Sequence, residues 1–133
     1  MILLNKQIRA LAQKESANKP KAVGDGGRAF GLYQMHSDFR AEWYTDDLAL
    51  RQLSIDADTL ARFAAQFYAL LEIEWDSVES AGLTPPPETI ELLALCYNQG
   101  LRGAAEWLCA DAGRTPAAHP YVIKYMEILA SMP

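Results

Sequence analysis

The chain is predicted to be a mainly α-helical domain with one small β-hairpin or irregular element, and three observations lead there. Leu60, Phe63, Ala64, Phe67, Tyr68, Leu71 and Trp75 recur at three- and four-residue steps, the core stripe of an amphipathic helix. Residues 88–98 are apolar nearly all round, through Ile90, Leu92, Leu93, Leu95, Cys96 and Tyr97, as in a helix buried at the centre of a bundle. The run from Lys21 to Ala29 instead breaks into turn signals, with Gly24, Gly26 and Gly27 around Asp25.

Taken in order, Ile2 to Glu15 reads as the first helix, with Ile2, Leu4, Ile8, Leu11 and Ala12 near helical spacing. Lys19-Pro20 requires that this helix has ended, which leaves Glu15 in its last turn. Ala22-Val23 and Ala29-Phe30 fit two short strands around a glycine-rich tip. The segment from Phe30 to Met35 is expected to turn Leu32 and Met35 inward and Gln34 toward a cleft. Asp38 to Trp43 is a short helix or a loop. Thr45, followed by Asp46-Asp47, suits the cap of a helix through Leu53. Asp56 or Asp58 opens the long helix with the aromatic stripe, Gly82 ends it, and Pro85-Pro86-Pro87 makes a stiff connection. Glu88 to Asn98 is the central helix, with Gly100 a suitable stop; Leu101 to Ala112 resumes a helix closed by Gly113. Pro120 begins the last helix, packed through Tyr121, Ile123, Tyr125, Met126, Ile128 and Leu129.

The 133 residues form a single domain, 1–133, long enough to bury a core. A net charge of -5 argues against non-specific binding of nucleic acid, which needs a basic face. The same charge is repelled by anionic bacterial walls, so any action there is not steered electrostatically or is delivered by a larger assembly. No apolar run approaches the ~20 residues of a membrane span. Met1-Ile2-Leu3-Leu4 is too short for a signal-peptide core of roughly 7–15 residues. Cys96 and Cys109, if on one helix, would stand about 20 Å apart, beyond disulfide reach; both are expected as free, buried thiols. Only two histidines exist, His36 and His119, with no clustered ligands, so neither a metal nor a cofactor is expected. The glycine loop lacks the Lys-Ser/Thr of a phosphate loop and the alternating oxygens of a calcium loop.

Three motifs in order carry a resemblance. Glu15-Ser16, then Pro20 and Ala22, then Gly31-Leu32-Tyr33-Gln34, resembles the first motifs of the lysozyme-like superfamily, in its lytic transglycosylases and goose-type lysozymes. Tyr33 stands where that family usually has Met. Leu93 to Gly100, LALCYNQG, resembles the family's Ala-Tyr-Asn-Ala-Gly motif, with Cys96 and Gln99 as departures. HPYVIKYMEIL, ending at Leu129, is similar to its closing helix. The register of Asp25 to Gln34 is similar to the goose-type segment in which an Asp helps handle the attacking water. The second such carboxylate would fall at His36, and Asp38 lies two residues further on.

The resemblance implies a lysozyme-like fold and cleavage of the β-1,4 bond between N-acetylmuramic acid and N-acetylglucosamine. Glycoside cleavage needs a proton on the leaving oxygen, and Glu15 is the expected acid. Its helix-end position opposes the anion, because the helix dipole is negative there. Two routes stay open. A lytic transglycosylase closes a 1,6-anhydro ring with the substrate's own hydroxyl and needs only Glu15. A hydrolase needs a second group for water, with Asp25 the best candidate, Asp38 a distant second and His36 a base, a substrate contact or a loop residue. Asp25 also suits a plain turn residue. Ser16, Gly31, Tyr33, Gln34, His36, Tyr97 and Asn98 are the expected substrate-binding residues, with Tyr97 positioning Glu15 or a sugar hydroxyl. For Gln34, Asn98 and Ser16 the competing expectation is a polar network that only satisfies itself.

The expected partner is the peptidoglycan glycan strand, acted on in the periplasm or cell wall by a monomer. Without a signal peptide, delivery would be by another route, from a phage virion or a secretion machine. Two other functions fit. One is a catalytically inactive glycan-binding or structural module, in which Glu15 would be dispensable. The other is an adaptor that docks a partner through exposed Trp43, Trp75 or Trp107.

Overall fold

A buried ion pair, a three-stranded sheet, five α-helices and two short 3-10 turns (Asp25–Gly27 and Pro116–Ala118) stand in the described part of the computed structural model, which covers residues 1–43, 56–78, 83–111 and 113–133. The chain is mainly helical with one small antiparallel sheet, the class the sequence predicts. The helices are α1 (Asn5–Ser16), α2 (Ser37–Trp43), α3 (Asp56–Ser77), α4 (Ile90–Cys109) and α5 (Pro120–Ser131). The strands are β1 (Val23–Gly24), β2 (Ala29–Phe30) and β3 (Met35–His36). The expected helix from Thr45 to Leu53 and the stop at Gly82 lie outside the described residues. By contacts the chain divides into two compact units, Ile2–Ala64 with Ile128–Pro133, and Ala65–Glu127 with Met1.

In the first unit, α1 ends where Ala17 and Asn18 both turn left-handed, and their N–H groups bond back to Gln13 and Ala12. That left-handed close satisfies carbonyls the helix would otherwise leave open. The expected hairpin is a sheet of three strands in the order β1-β2-β3. The third strand went unread because two residues show no periodicity. Val23, Phe30 and Met35 form one cross-strand row, and Gly24, Ala29 and His36 the other. Met35 is buried as expected, whereas Leu32 is only half-buried and Tyr33 takes the interior place beside it. The 38–43 segment is helical, and Trp43 and Phe39 pack on Phe63 with ring centres 5.3 Å away in each case.

Arg40 is the largest fully buried side chain of the described residues. Its Nε and a terminal amino group grip both oxygens of buried Asp56 at 2.8 and 2.9 Å, and the same amino group donates to the Phe30 carbonyl at 3.1 Å. One guanidinium thus joins α2, the first residue of α3, and β2. Paired forks of this kind are the strong form of ionic hydrogen bond. Removing one partner strands a buried charge, which costs about 3–5 kcal/mol.

In the second unit, α3 buries Phe67, Leu71 and Trp75, and leaves Tyr68 half-exposed. The Tyr68 hydroxyl donates to the Pro86 carbonyl at 2.8 Å and the Trp75 indole to that of Leu83 at 3.1 Å, so α3 holds the proline connection. Thr89 caps α4 by accepting the Leu92 N–H. The sequence split α4 in two at Gly100. The observed segment is likewise two helices that meet at Gly100, which leaves helical geometry (φ 76°, ψ 163°). Glycine adopts that φ at no steric cost, so the break stays local. Cys96 lies before that kink and Cys109 after it, and both thiols are free. Cys96 is buried, which pushes its thiol up to about 12, while Cys109 is half-buried rather than fully so. Trp43 and Trp75 are buried, which corrects the expectation that they are exposed for docking. Trp107 is half-buried, with the Arg114 guanidinium 4.7 Å from its ring centre and the His119 ring at 4.9 Å.

Two predictions follow from these contacts. Asp56→Asn and Arg40→Met should each lower unfolding free energy by about 3–5 kcal/mol in urea titration. Arg40→Met/Asp56→Leu should lose much less than their sum, because no charge is left stranded. His119 accepts the Tyr121 N–H on Nδ1, and burial and then the Arg114 charge lower its pKa below 6.5. The unfolded chain therefore binds this proton more readily. The stability tied to neutral His119 is complete above about pH 6.5 and falls as pH drops through the folded value. His119→Asn, which keeps a cap acceptor, should flatten the dependence of Tm on pH below about 6.5.

Candidate active site

Glu15 is half-buried in the last turn of α1. Its neighbour Ser16 is buried, and the Ser16 hydroxyl lies 3.0 Å from the Ala12 carbonyl and 2.7 Å from that of Leu32. The second contact crosses from the helix to the turn between β2 and β3. It holds the end of α1, and Glu15 with it, against that turn. The Ser16 side chain is thus a staple inside the fold, which leaves a substrate contact at this position to its backbone.

The turn itself is held by Gln34. Its amide nitrogen donates to the carbonyls of Ala22 at 3.1 Å and Gly31 at 3.0 Å. The Gly31 N–H returns a bond to Ala22 at 2.9 Å. A Cβ on Gly24 would collide with Gln34 Oε1, so only glycine leaves room for this amide. The Gln34 amide therefore faces the backbone of the sheet rather than a cleft, which corrects the expectation. Tyr33 is a core side chain, and its hydroxyl is raised above 10 by burial and then by the Asp56 charge. Gly31 is buried at φ 82°. Ser16, Gly31, Tyr33 and Gln34 are together the scaffold of the site. The self-satisfying network weighed from the sequence is what the structure holds at Ser16 and Gln34.

Asp25 and His36 are brought together. His36 Nε2 lies 3.0 Å from Asp25 Oδ2, and an Arg28 guanidinium nitrogen lies 3.8 Å from Oδ1. The register explains the meeting. Gly24, Ala29 and His36 stand in one row across three strands, and Asp25 follows Gly24. Gly24 has no side chain and Ala29 only a methyl, so the carboxylate reaches over β2 to the imidazole. Asp25 holds φ 50°, which aims it that way.

His36 also lines an open cavity of about 740 Å³, shared with Lys21, Arg28, Phe30, Asp38 and Arg40. Glu15 is not part of its wall. Residues 1–43 hold seven Lys and Arg against four Asp and Glu, the reverse of the chain as a whole at 12 against 17. Lys21, Arg28 and Arg40 were not among the residues singled out from sequence. Arg40 alone left a trace, as a charge three residues before Trp43 on an apolar face. The described residues contain no cluster of three metal-ligating side chains, and no helix long and apolar enough to cross a membrane.

Tyr97 and Asn98 lie in the other unit, on α4 just before Gly100. Tyr97 is half-buried and Asn98 is exposed, its carbonyl accepting from the Gln99 amide.

No family model, curated protein or solved structure matches the chain in comparison, so the resemblance rests on its own motifs.

If Gln34 and Gly24 work as one joint, Gly24→Ala and Gln34→Ala should each destabilise by about 0.5–1.5 kcal/mol, the net worth of a hydrogen bond, since both carbonyls keep a backbone donor. Their double variant should lose clearly less than the sum, read by thermal unfolding as a double-mutant cycle.

Proposed function

We propose that this chain is a peptidoglycan muramidase of lysozyme-like type. It cleaves the β-1,4 bond between N-acetylmuramic acid and N-acetylglucosamine with Glu15 as general acid. The observation that carries the reading is the joint at Ser16. The one carboxylate of the Glu-Ser motif stands beside a residue bonded 2.7 Å away to the turn carrying the Gly-Leu-Tyr-Gln motif. Two motifs separated in sequence thus meet in space as one construction. A fixed backbone beside the acid suits proton transfer, which slows by about 100-fold when the reacting groups are misplaced by about an ångström.

Backbone strain adds support. Ala17, Asn18, Asp25 and Gln34 have positive φ, and among the described residues these are the non-glycines that do. Each such residue costs on the order of 1–3 kcal/mol and persists only where its surroundings enforce it. All four fall between the end of α1 and β3, around Glu15, Asp25 and His36. Strain gathered in one short segment is what a positioned site requires.

The substrate is the glycan strand of the cell wall, and delivery from a virion or secretion machine accords with the acidic pI of about 4.9. The deciding experiment is digestion of purified peptidoglycan, with soluble muropeptides counted by mass spectrometry. Glu15→Gln should slow release by roughly 100- to 10,000-fold, the usual worth of a general acid. Wild-type protein that binds sacculi but releases nothing from several wall types would replace the enzyme with a glycan-binding module.

A further inference from the structure

We propose that the cavity beside β2 binds an acidic saccharide, a sugar unit carrying a carboxylate or a phosphate. The site stands apart from the muramidase reading, since Glu15 is not in its lining. A volume of about 740 Å³ falls within the roughly 300–1,000 Å³ of small-ligand sites. Phe30 supplies the apolar surface. It is 37% exposed, and Val23, its partner across the sheet, is 61% exposed, so this end of the cross-strand row is open to solvent. The strand that carries Phe30 is the central one, and its carbonyl accepts from buried Arg40 at 3.1 Å. An exposed ring on so fixed a backbone offers a flat apolar face to the C–H side of a sugar ring, with little left to order on binding.

Charge decides which sugar. Lys21 and Arg28 share the cavity lining with Phe30. Lys21 stands in no ion pair among the described residues. Arg28 reaches Asp25 only at 3.8 Å with its side chain 76% exposed, a contact that water weakens and that an incoming anion can share. Arg40 adds no available charge, because it is already held by both oxygens of Asp56. Two cations can therefore turn to one oxyanion, and the Arg28 fork can take it with paired N–H groups. Asp38 also lines the cavity and stands in no ion pair among the described residues. Its carboxylate suits a neutral hydroxyl and opposes a second anion nearby. A ring, one anion and free hydroxyls together describe an acidic sugar. A neutral glycan leaves the two cations without a partner, and a simple anion leaves Phe30 bare. An anionic cell wall repels the chain as a whole at its net charge of -5, whereas this cavity gives it a local point of attachment to acidic wall polymers.

The test titrates the full chain with an oligogalacturonate, glucose 1-phosphate, a neutral oligomer of N-acetylglucosamine and inorganic phosphate, and follows backbone amide shifts by NMR. At least one of the two acidic sugars should move the amides of Lys21, Arg28 and Phe30. It should bind about tenfold more tightly than the neutral oligomer or inorganic phosphate, and more weakly as salt is raised. The tighter of the two names the anion as carboxylate or phosphate. Phe30→Leu keeps an apolar side chain on the strand and should weaken binding about fivefold. Lys21→Gln/Arg28→Gln changes two exposed side chains and should weaken it about tenfold or more. Glu15→Gln should bind as wild type does. The proposal is overturned if neither acidic sugar binds, if the neutral oligomer or inorganic phosphate binds as tightly, or if either cavity variant binds as tightly as wild type. Loss of binding in Glu15→Gln also overturns it, because the probe then sits at the acid. Digestion of peptidoglycan judges the muramidase reading separately: a failed digest leaves this site standing, and failed binding leaves the enzyme standing.

Discussion

The site-bearing unit depends on one guanidinium. Arg40 enters the interior from α2, closes on both oxygens of Asp56 at the start of α3, and reaches the Phe30 carbonyl of β2. A sheet of two-residue strands has little stability of its own, since even a full hairpin is marginal in water. Here the sheet is held through its central strand by a buried charge that has no other way to be satisfied. Such a pair contributes little net stability compared with well-packed apolar residues, but it tolerates almost no other geometry. The positions of Asp25 and His36 at either side of β2 follow from where that strand is held.

Around this anchor the motif residues divide into two kinds. Ser16, Gly31, Tyr33 and Gln34 build the turn and face backbone or core. Glu15, Asp25 and His36 are left at the surface or half-exposed, and they are the groups with proton chemistry. A motif that reads in sequence as a string of substrate contacts is therefore mostly a bracket. Buried polar groups must be paired; the Leu32 carbonyl takes a side-chain donor, and the Ala22 and Gly31 carbonyls each take one beside a backbone N–H. The glutamine amide and serine hydroxyl supply those donors. The local basic excess of residues 1–43 also changes the electrostatic argument. The net negative charge of the chain says little about the local field beside Lys21 and Arg28.

Helices were legible because their signal is local and repeated. The stripe from Leu60 to Trp75 predicted α3, and the apolar run from Ile90 to Tyr97 predicted α4, both with accurate cores. The strand Met35–His36 was not legible, because two residues contain no period. Gly100 was legible as a break because glycine lacks helix propensity, and α4 is kinked there with non-helical geometry. Trp43 and Trp75 were weighed as docking side chains because sequence shows their chemistry and not their neighbours; Phe63 covers the first, and the second is buried with its indole bonded to Leu83.

The sequence by itself determined a mainly helical chain, the end of α1 at Glu15-Ser16, the glycine turn around Asp25, and the break at Gly100. Each of these follows from propensity, spacing or chain reach over a few residues. Tertiary structure alone decided that Asp25 meets His36 across Ala29, that Gln34 and Ser16 face the backbone, and that Arg40 is buried against Asp56. The long contacts among them, Asp25 to His36, Gln34 to Ala22, Ser16 to Leu32 and Arg40 to Asp56, join residues 11 to 16 positions apart. No local preference sets them; they are chosen by which donors, acceptors and charges the folded chain would otherwise leave unsatisfied.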